Sequence, residues 1–235
     1  MTVEEIMAQL EALGNPQIKK ILLKHGVREP FFGVKVGDMK PIQKKIKKDY
    51  QLAKDLYATG NADAMYLAGL IADDEKMTKK DLQSWAEVAL SGSVCEATVP
   101  WVAAEGHHGY EMAMKWIDDK KDHIAAIGWS TLSCVVSLKP DSELDIKALK
   151  SLLSRVEKEI HTAANRVRYN MNGFIISVGA YVAALTADAK ATAKKVGVVE
   201  VDMNGTACKV PDPITYIKKI EDRGSLGKKK KTVKC

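Results

Sequence analysis

Cysteines, aromatic residues and long apolar runs are all scarce in this sequence. Its four cysteines, Cys95, Cys134, Cys208 and Cys235, lie far apart and form no CxxC pair, which argues against a disulfide framework and a zinc cluster. The amino terminus has no signal-peptide pattern, and no apolar run approaches the roughly 18 residues of a membrane span. We therefore expect a cytoplasmic protein with reduced thiols and no membrane partner.

Motifs for nucleotide, redox and hydrolytic chemistry are missing as well. The sequence contains no glycine-rich phosphate loop, no Rossmann fingerprint and no Ser-His-Asp arrangement. His107 and His108 follow Glu105 closely, but adjacent side chains point in different directions and no HExxH spacing accompanies them. We expect no metal site and no cofactor, and we interpret the two histidines as surface residues at a turn.

The net charge of +6 is unevenly distributed along the chain. Residues 1–50 carry 10 Lys/Arg and 6 Asp/Glu, residues 51–150 carry 10 and 16, and residues 151–235 carry 16 and 8. The ends are therefore basic and the middle is acidic. A basic surface for nucleic acid has to be assembled locally from both ends of the chain.

Helix signals follow one another with short connectors. Thr2 and Glu5 form a capping-box pattern, and Asn15 before Pro16 is a good start for a second helix, which Gly26 ends. Further helices are predicted over residues 38–50, 51–59, 61–72, 78–90, 94–105, 110–119, 123–138, 142–160, 165–185, 187–196 and 213–222. Such pairs predict an all-α superhelix of HEAT- or armadillo-like units, each roughly 40 residues long.

Two segments near the C-terminus depart from the helical pattern. β-prone residues on both sides of Asn204-Gly205 predict a small β-hairpin at about 196–210, because both turn residues tolerate the positive φ of a type I′ turn. Residues 224–235 are rich in glycine and lysine, so we expect a flexible basic tail that can act as an electrostatic anchor for nucleic acid. The prediction is a single domain over residues 1–223 followed by that tail.

Four segments together match the pattern of a known family. Residues 31–40 (FFGVKVGDMK) and 61–68 (NADAMYLA) look like a loop entering a third helix and the next repeat, and residues 82–85 (LQSW) like a helix that leads toward an active site. TACKVP at 206–211 is similar to the pattern of a less studied subgroup. Together these segments resemble a divergent subgroup of the DNA alkylation repair family, the HEAT-like bacterial DNA glycosylases.

The resemblance implies excision of cationic N3- or N7-alkylated purines from duplex DNA, without metal or organic cofactor. In this family a basic concave surface grips the DNA backbone, while aromatic side chains and a carboxylate flank the lesion. A carboxylate there stabilises the positive charge that develops on the sugar. The family's active helix carries a Trp and, four residues later, an Asp, one helical turn apart on the same face.

This sequence departs from that pattern at both positions. Alignment on the ATV triplet at residues 97–99 places Glu96 at the Trp position and Pro100 at the Asp position. We take Glu96 as the candidate catalytic residue. The candidate cleft or lesion-contacting residues are Trp101, Glu105 and Trp129. The alternatives are a first-turn carboxylate favoured by the helix dipole and tryptophans that belong to the core.

Candidate DNA contacts come from two regions. Basic, amide and aromatic side chains on the helix that starts at residue 165 can contact phosphates and sugars, and lysines before residue 50 can extend that track. The candidate DNA-binding residues are Lys44, Lys45, Lys48, Arg166, Arg168, Tyr169 and Asn170. The alternatives are a capped helix start in the first region and a solvated helix face in the second.

The sequence therefore predicts a DNA-binding, alkylation-repair-like protein that acts on duplex DNA and excises cationic alkylpurines if it is active. The alternative is a catalytically silent helical-repeat scaffold that binds a protein or an unusual nucleic-acid structure. The acidic middle and the missing carboxylate favour this scaffold, and fold alone does not decide between the two.

Overall fold

Thirteen α-helices make up the computed structural model, which describes all 235 residues. They are α1 Val3–Leu13, α2 Pro16–Lys24, α3 Val36–Ile46, α4 Tyr50–Ala58, α5 Ala62–Ile71, α6 Lys79–Val88, α7 Val99–Glu105, α8 Gly109–Trp116, α9 Asp122–Leu138, α10 Ile146–Glu159, α11 Asn165–Tyr181, α12 Thr186–Val196 and α13 Pro213–Asp222. Short 3₁₀ turns lie at Asp74–Lys76, Asp141–Glu143 and Ala183–Leu185, and a π-helical stretch, Val94–Thr98, runs directly into α7. The all-α fold class is confirmed.

The predicted helix starts follow from local capping. Thr2 and Glu5 form the reciprocal capping box of α1, and the Asn15 side chain accepts hydrogen bonds from two backbone N–H groups at the start of α2. Gly26 has φ +80°, the left-handed conformation that ends a helix. The helix predicted from residue 142 begins later, because Asp145 caps it by accepting from Ala148 N.

One continuous hydrophobic core runs through the helix pairs. The helix α9 lies at its centre and packs against α7, α8 and α11, while α11 also packs against α12 and α13. Close packing requires small residues at the crossings. A Cβ atom at Gly128 would lie 2.6 Å from the backbone nitrogen of Ile117, so a side chain there would push α8 and α9 apart.

The predicted β-hairpin at 196–210 is wrong, because no strand forms in this segment. The turn itself is present: Asn204 and Gly205 have φ 55° and 66°, and Thr206 N donates to Met203 O. The residues before the turn form hydrogen bonds with α11 and not with the residues that follow the turn. The Asn165 side chain pairs with both backbone groups of Asp202, and these tertiary contacts replace a strand ladder.

No single helix is long and apolar enough to cross a membrane. Only α11 taken together with the following segment, Ala183–Val196, reaches that length and composition, and the two are bent by 115°.

Candidate nucleic-acid interface

The candidate catalytic residue, Glu96, is held by a candidate DNA-binding residue, Arg166. Glu96 lies in the π-helical stretch before α7, and Arg166 lies in the first turn of α11. The guanidinium donates from Nε and Nη2 to the two carboxylate oxygens, each at 2.5 Å. The Glu96 backbone is fixed as well, because its carbonyl accepts from Ser130 Oγ at 2.8 Å on α9. Glu96 is therefore a tethered carboxylate, and both of its oxygens are engaged.

Two further side chains complete this arrangement, which we call the Arg166 cluster: Glu96, Arg166, Tyr169 and Met203. The Arg166 guanidinium lies 4.2 Å from the centroid of the Tyr169 ring, and its Nη1 is 3.8 Å from Met203 Sδ. Burial opposes the charge of Arg166, but its hydrogen bonds with Glu96 outweigh that effect and raise the pKa of the guanidinium. The cluster thus holds a permanent cation, half-buried, with one face on an aromatic ring.

The cluster lies where two helices begin. Glu96 lies in the first turn of the π-helical stretch that runs into α7, three residues before Val99, and Arg166 is the second residue of α11. Helix amino-terminal ends carry partial positive charge and favour nearby anions, which supports the position of Glu96. The same ends favour phosphate groups, so this edge of the helix array is suited to an anionic backbone.

The neighbouring polar residues of α11 bind the protein's own chain. Arg168 donates to Glu200 O at 2.8 Å and to Ala163 O at 3.0 Å. Asn170 is buried and donates to Arg166 O at 2.9 Å. Arg168 and Asn170 therefore hold the segment after α12 and the start of α11, whereas Tyr169 supports the guanidinium of Arg166.

The candidate tryptophans lie in the core. Trp129 is 0% exposed and packs edge-to-face against Phe174, with ring centroids 5.3 Å apart. Trp101 is 8% exposed and packs in the same manner against Tyr66 at 5.5 Å. Pro100, at the family's Asp position, is also buried within α7. Trp129 thus presents no surface to a ligand, and Trp101 presents very little.

The lysine candidates and Glu105 lie away from the Arg166 cluster. Lys44 and Lys45 are exposed in the last turn of α3, and Lys48 pairs with Asp74 at 3.4 Å, next to the end of α5. Glu105 ends α7 and accepts a hydrogen bond from Val233 N. The candidate residues therefore form two groups, one at the beginning of the helices α7 and α11 and one at the ends of α3, α5 and α7.

Two members of the environment of Arg166 were not predicted from the sequence. Met203 approaches through the turn after α12, and Ser130 fixes the Glu96 backbone from the middle of α9. Neither residue belongs to a motif, and each is more than 30 residues from its partner. Only the packing of the repeats brings them together.

Comparison with known proteins now identifies the family. The family model for the DNA alkylation repair enzyme matches residues 6–195. The chain belongs to this family. Two uncharacterized proteins, from Listeria innocua and Listeria monocytogenes, are each 33% identical over 229 residues, which cover 95% of this chain and 99% of the relative.

A solved structure extends the family relationship to the whole chain. It has a TM-score of 0.92 and 36% sequence identity, and the match covers 100% of both chains. That protein is described as one of "a new family of proteins related to the HEAT-like repeat DNA glycosylases with affinity for branched DNA structures". The resemblance to the DNA alkylation repair family and the HEAT-like fold are therefore both confirmed.

Proposed function

We propose that this DNA alkylation repair family member binds DNA, prefers branched structures to linear duplex, and does not excise bases. The similar protein of known structure is described as having affinity for branched DNA structures, and it matches the present chain from end to end. At 36% identity over the full length, a shared binding surface is the simplest expectation. Fold alone would not justify this step, so the proposal also depends on the chemistry of the Arg166 cluster.

The observation that carries the proposal is the two-point pair between Glu96 and Arg166. Excision requires a carboxylate that can stabilise positive charge on the sugar as the base leaves. A carboxylate already paired with a guanidinium is largely neutralised and is less able to stabilise a second cation. The residue at the family's Asp position, Pro100, has no carboxylate to replace it.

The same cluster supports binding. The Arg166 guanidinium lies at the beginning of α11 and has a raised pKa, so it is a permanent cation whose remaining N–H groups can donate to phosphate oxygens. An aromatic ring beneath it limits its freedom, which lowers the entropy lost on binding. Such contacts grip the backbone and carry no information about base sequence. Recognition of DNA shape is therefore the expected mode.

The experiment compares the intact protein on a four-way junction and on a linear duplex assembled from the same arm sequences. We expect tighter binding to the junction at every salt concentration, with both affinities falling as salt rises. Equal affinity for the two DNAs would refute the preference. Absence of binding to either DNA at low salt would refute the proposal as a whole.

A second assay addresses excision. Duplex DNA carrying N3- and N7-methylated purines is incubated with the protein, and released base is quantified. We expect no release above the spontaneous rate, while the same preparation still binds the junction. Enzymatic release that is lost in Glu96→Gln would instead support the excision activity that the family pattern implies, with Glu96 as its carboxylate.

A further inference from the structure

The last nine residues of the chain cross the ends of four helices. Gly227 N donates to Ala180 O at 2.8 Å near the end of α11, and Lys230 N donates to Ser137 O at 2.8 Å near the end of α9. Val233 N donates to Glu105 at the end of α7 at 2.8 Å, and Thr232 Oγ1 donates to the same carboxylate. Residues 227–235, which we call the C-terminal strap, thus follow the helix array from its last repeats toward its first.

The strap ends at α5 and α3. Lys234 Nζ lies 2.6 Å from Asp74 Oδ1, and its side chain is only 9% exposed, while that of Asp74 is 2% exposed. Beyond it, the carbonyl oxygen of Cys235 accepts from Lys40 Nζ on α3. Nine extended residues reach about 30 Å, which matches three spacings of roughly 8–10 Å between neighbouring helices.

The chemistry of the strap suits its track. The carboxyl ends of helices carry partial negative charge, and unpaired carbonyl groups there accept hydrogen bonds from lysines. Lys229 Nζ donates to Val136 O at 2.9 Å and pairs with Asp141 at 2.8 Å. Asp74, Glu105 and Asp141 all belong to the acidic middle of the sequence. The strap brings lysines to Asp74 and Asp141, and it brings a hydroxyl and a backbone N–H to Glu105.

From these contacts we propose that residues 227–235 act as an intramolecular strap that fixes the spacing of the repeats α5, α7, α9 and α11. The strap neutralises the carboxyl-terminal edge of the helices, opposite the edge that carries the Arg166 cluster. It also covers Glu105, which removes this side chain from any role in a cleft. The composition of this segment predicts a flexible anchor for nucleic acid. Its binding partners within the protein could not be recognised from the sequence, because they are at least 40 residues away along the chain.

Hydrogen exchange of the full chain without DNA tests the strap directly. The amides of Gly227, Lys230 and Val233 are donors to the helix ends, so each is expected to exchange at least about tenfold more slowly than in an unstructured peptide. Lys234→Ala removes the nearer of the two lysine partners of buried Asp74 and is expected to abolish that protection. The matched control is Lys231→Ala, since Lys231 is an exposed lysine of the same segment.

Thermal unfolding of the same variants provides a second readout. Lys234→Ala leaves Asp74 buried with a weaker partner, and we expect the Tm to fall by about 4–8 °C, with no change for Lys231→Ala. Truncation after Leu226 is expected to lower the Tm at least as far. Unprotected strap amides in the intact protein would overturn the proposal. So would a truncation that weakens DNA binding without changing the Tm, because the segment would then be a DNA-binding arm.

Discussion

Arg166 and Glu96 are 70 residues apart in the sequence and meet in a two-point ion pair with both N···O distances at 2.5 Å. The sequence suggested different roles for them, DNA binding for Arg166 and catalysis for Glu96. Because each side chain supplies the hydrogen bonds and the opposite charge that the other needs, a change in one alters the role of the other. The charge that this edge presents to DNA depends on how strongly Glu96 offsets Arg166.

Glu96→Gln is therefore expected to strengthen DNA binding. The amide oxygen still accepts one hydrogen bond from Arg166, whereas the amide nitrogen cannot accept the second, so one hydrogen bond and one negative charge are lost. We expect the affinity for a four-way junction to rise by about three- to tenfold at low salt, and the gain to disappear at high salt. Fluorescence anisotropy titrations at several salt concentrations measure this.

The control for that variant is Glu111→Gln on α8, which removes the same charge from an exposed pair with Lys79 on α6. It should change the affinity by less than twofold, because charges separated by more than about 10 Å are screened at ordinary salt. An equal gain in both variants would show that only the net charge matters. Weaker binding by Glu96→Gln would contradict the electrostatic account of the cluster.

The helices were predictable because their signals are local. Capping residues such as Thr2 and Asn15 act within three residues of themselves, and they were read correctly from the sequence. The predicted hairpin failed for the opposite reason. Val, Asn and Gly favoured a turn between strands, but Asn165 and Arg168 on α11 bind the segment before the turn. Tertiary hydrogen bonds overrode the local preference.

The site was predicted only as separate residues. Residue type and position identify Glu96 and Arg166 separately as candidates. No sequence periodicity links positions 70 residues apart, so the ion pair between them could not be predicted. The burial of the tryptophan side chains could not be predicted from the sequence either. Trp129 looked suitable for a cleft by composition, whereas its position on the central helix α9 places it inside the core.

Arg168→Ala is expected to loosen the segment after α12. Its guanidinium donates to the carbonyl of Glu200 at 2.8 Å, and its loss leaves the Asn165 side chain to hold this segment on α11. The Asp202 amide, which donates to the Asn165 side chain, should exchange at least about tenfold faster, because the segment opens locally more often. Arg223→Ala, at the exposed end of α13, is the control and should leave this exchange rate unchanged.

Asp63→Ala is expected to be strongly destabilising. The buried Asp63 carboxylate accepts from the backbone N–H groups of Phe32, Gly33 and Val34 at 2.7–3.3 Å, and it thereby fixes the loop before α3. Removing it leaves buried donors without a partner, at a cost of about 3 kcal/mol. A fall in Tm of about 6–12 °C follows for a chain of this size.

Asp55→Ala is the control for Asp63→Ala. Asp55 is an exposed carboxylate on α4 whose contact is a hydrogen bond from Gln51 one turn earlier. Its loss should change the free energy of unfolding by less than about 0.5 kcal/mol. Similar Tm values for the two variants would mean that the loop at residues 32–34 is held by other contacts.

Trp129→Ala is expected to affect stability and not DNA recognition. The indole fills the core between α9 and α11, so truncation leaves a cavity and costs about 3–5 kcal/mol. Trp129→Phe keeps most of the volume and removes an indole N–H that has no hydrogen-bond partner in the protein, so it should cost less than about 1.5 kcal/mol. If Trp129→Phe remained stable but lost junction binding, Trp129 would be a DNA-contacting residue.

Asp81 makes folding sensitive to acid. Burial favours its neutral form, but hydrogen bonds from Lys54, Thr78 and Tyr50 outweigh burial and hold the pKa of Asp81 well below its ordinary value of 3.8. A carboxyl group whose pKa is lower in the folded state contributes stability above its unfolded pKa, and this stability is lost as the pH falls through the folded value. The free energy of unfolding should therefore fall as the pH drops below 3.8.

Asp81→Asn tests this directly. The variant should be less stable than the intact protein at pH 7, because Lys54 and the capping box of α6 lose their charged partner. Below pH 4, roughly the unfolded pKa of an aspartate, the free energy of unfolding of the variant should fall less steeply with pH than that of the intact protein. Plots of this free energy against pH should therefore converge for the two proteins. Asp55 has no buried partner, so the free energy of unfolding of Asp55→Asn should change with pH as steeply as that of the intact protein. Parallel curves for all three proteins would assign the acid sensitivity to other carboxylates.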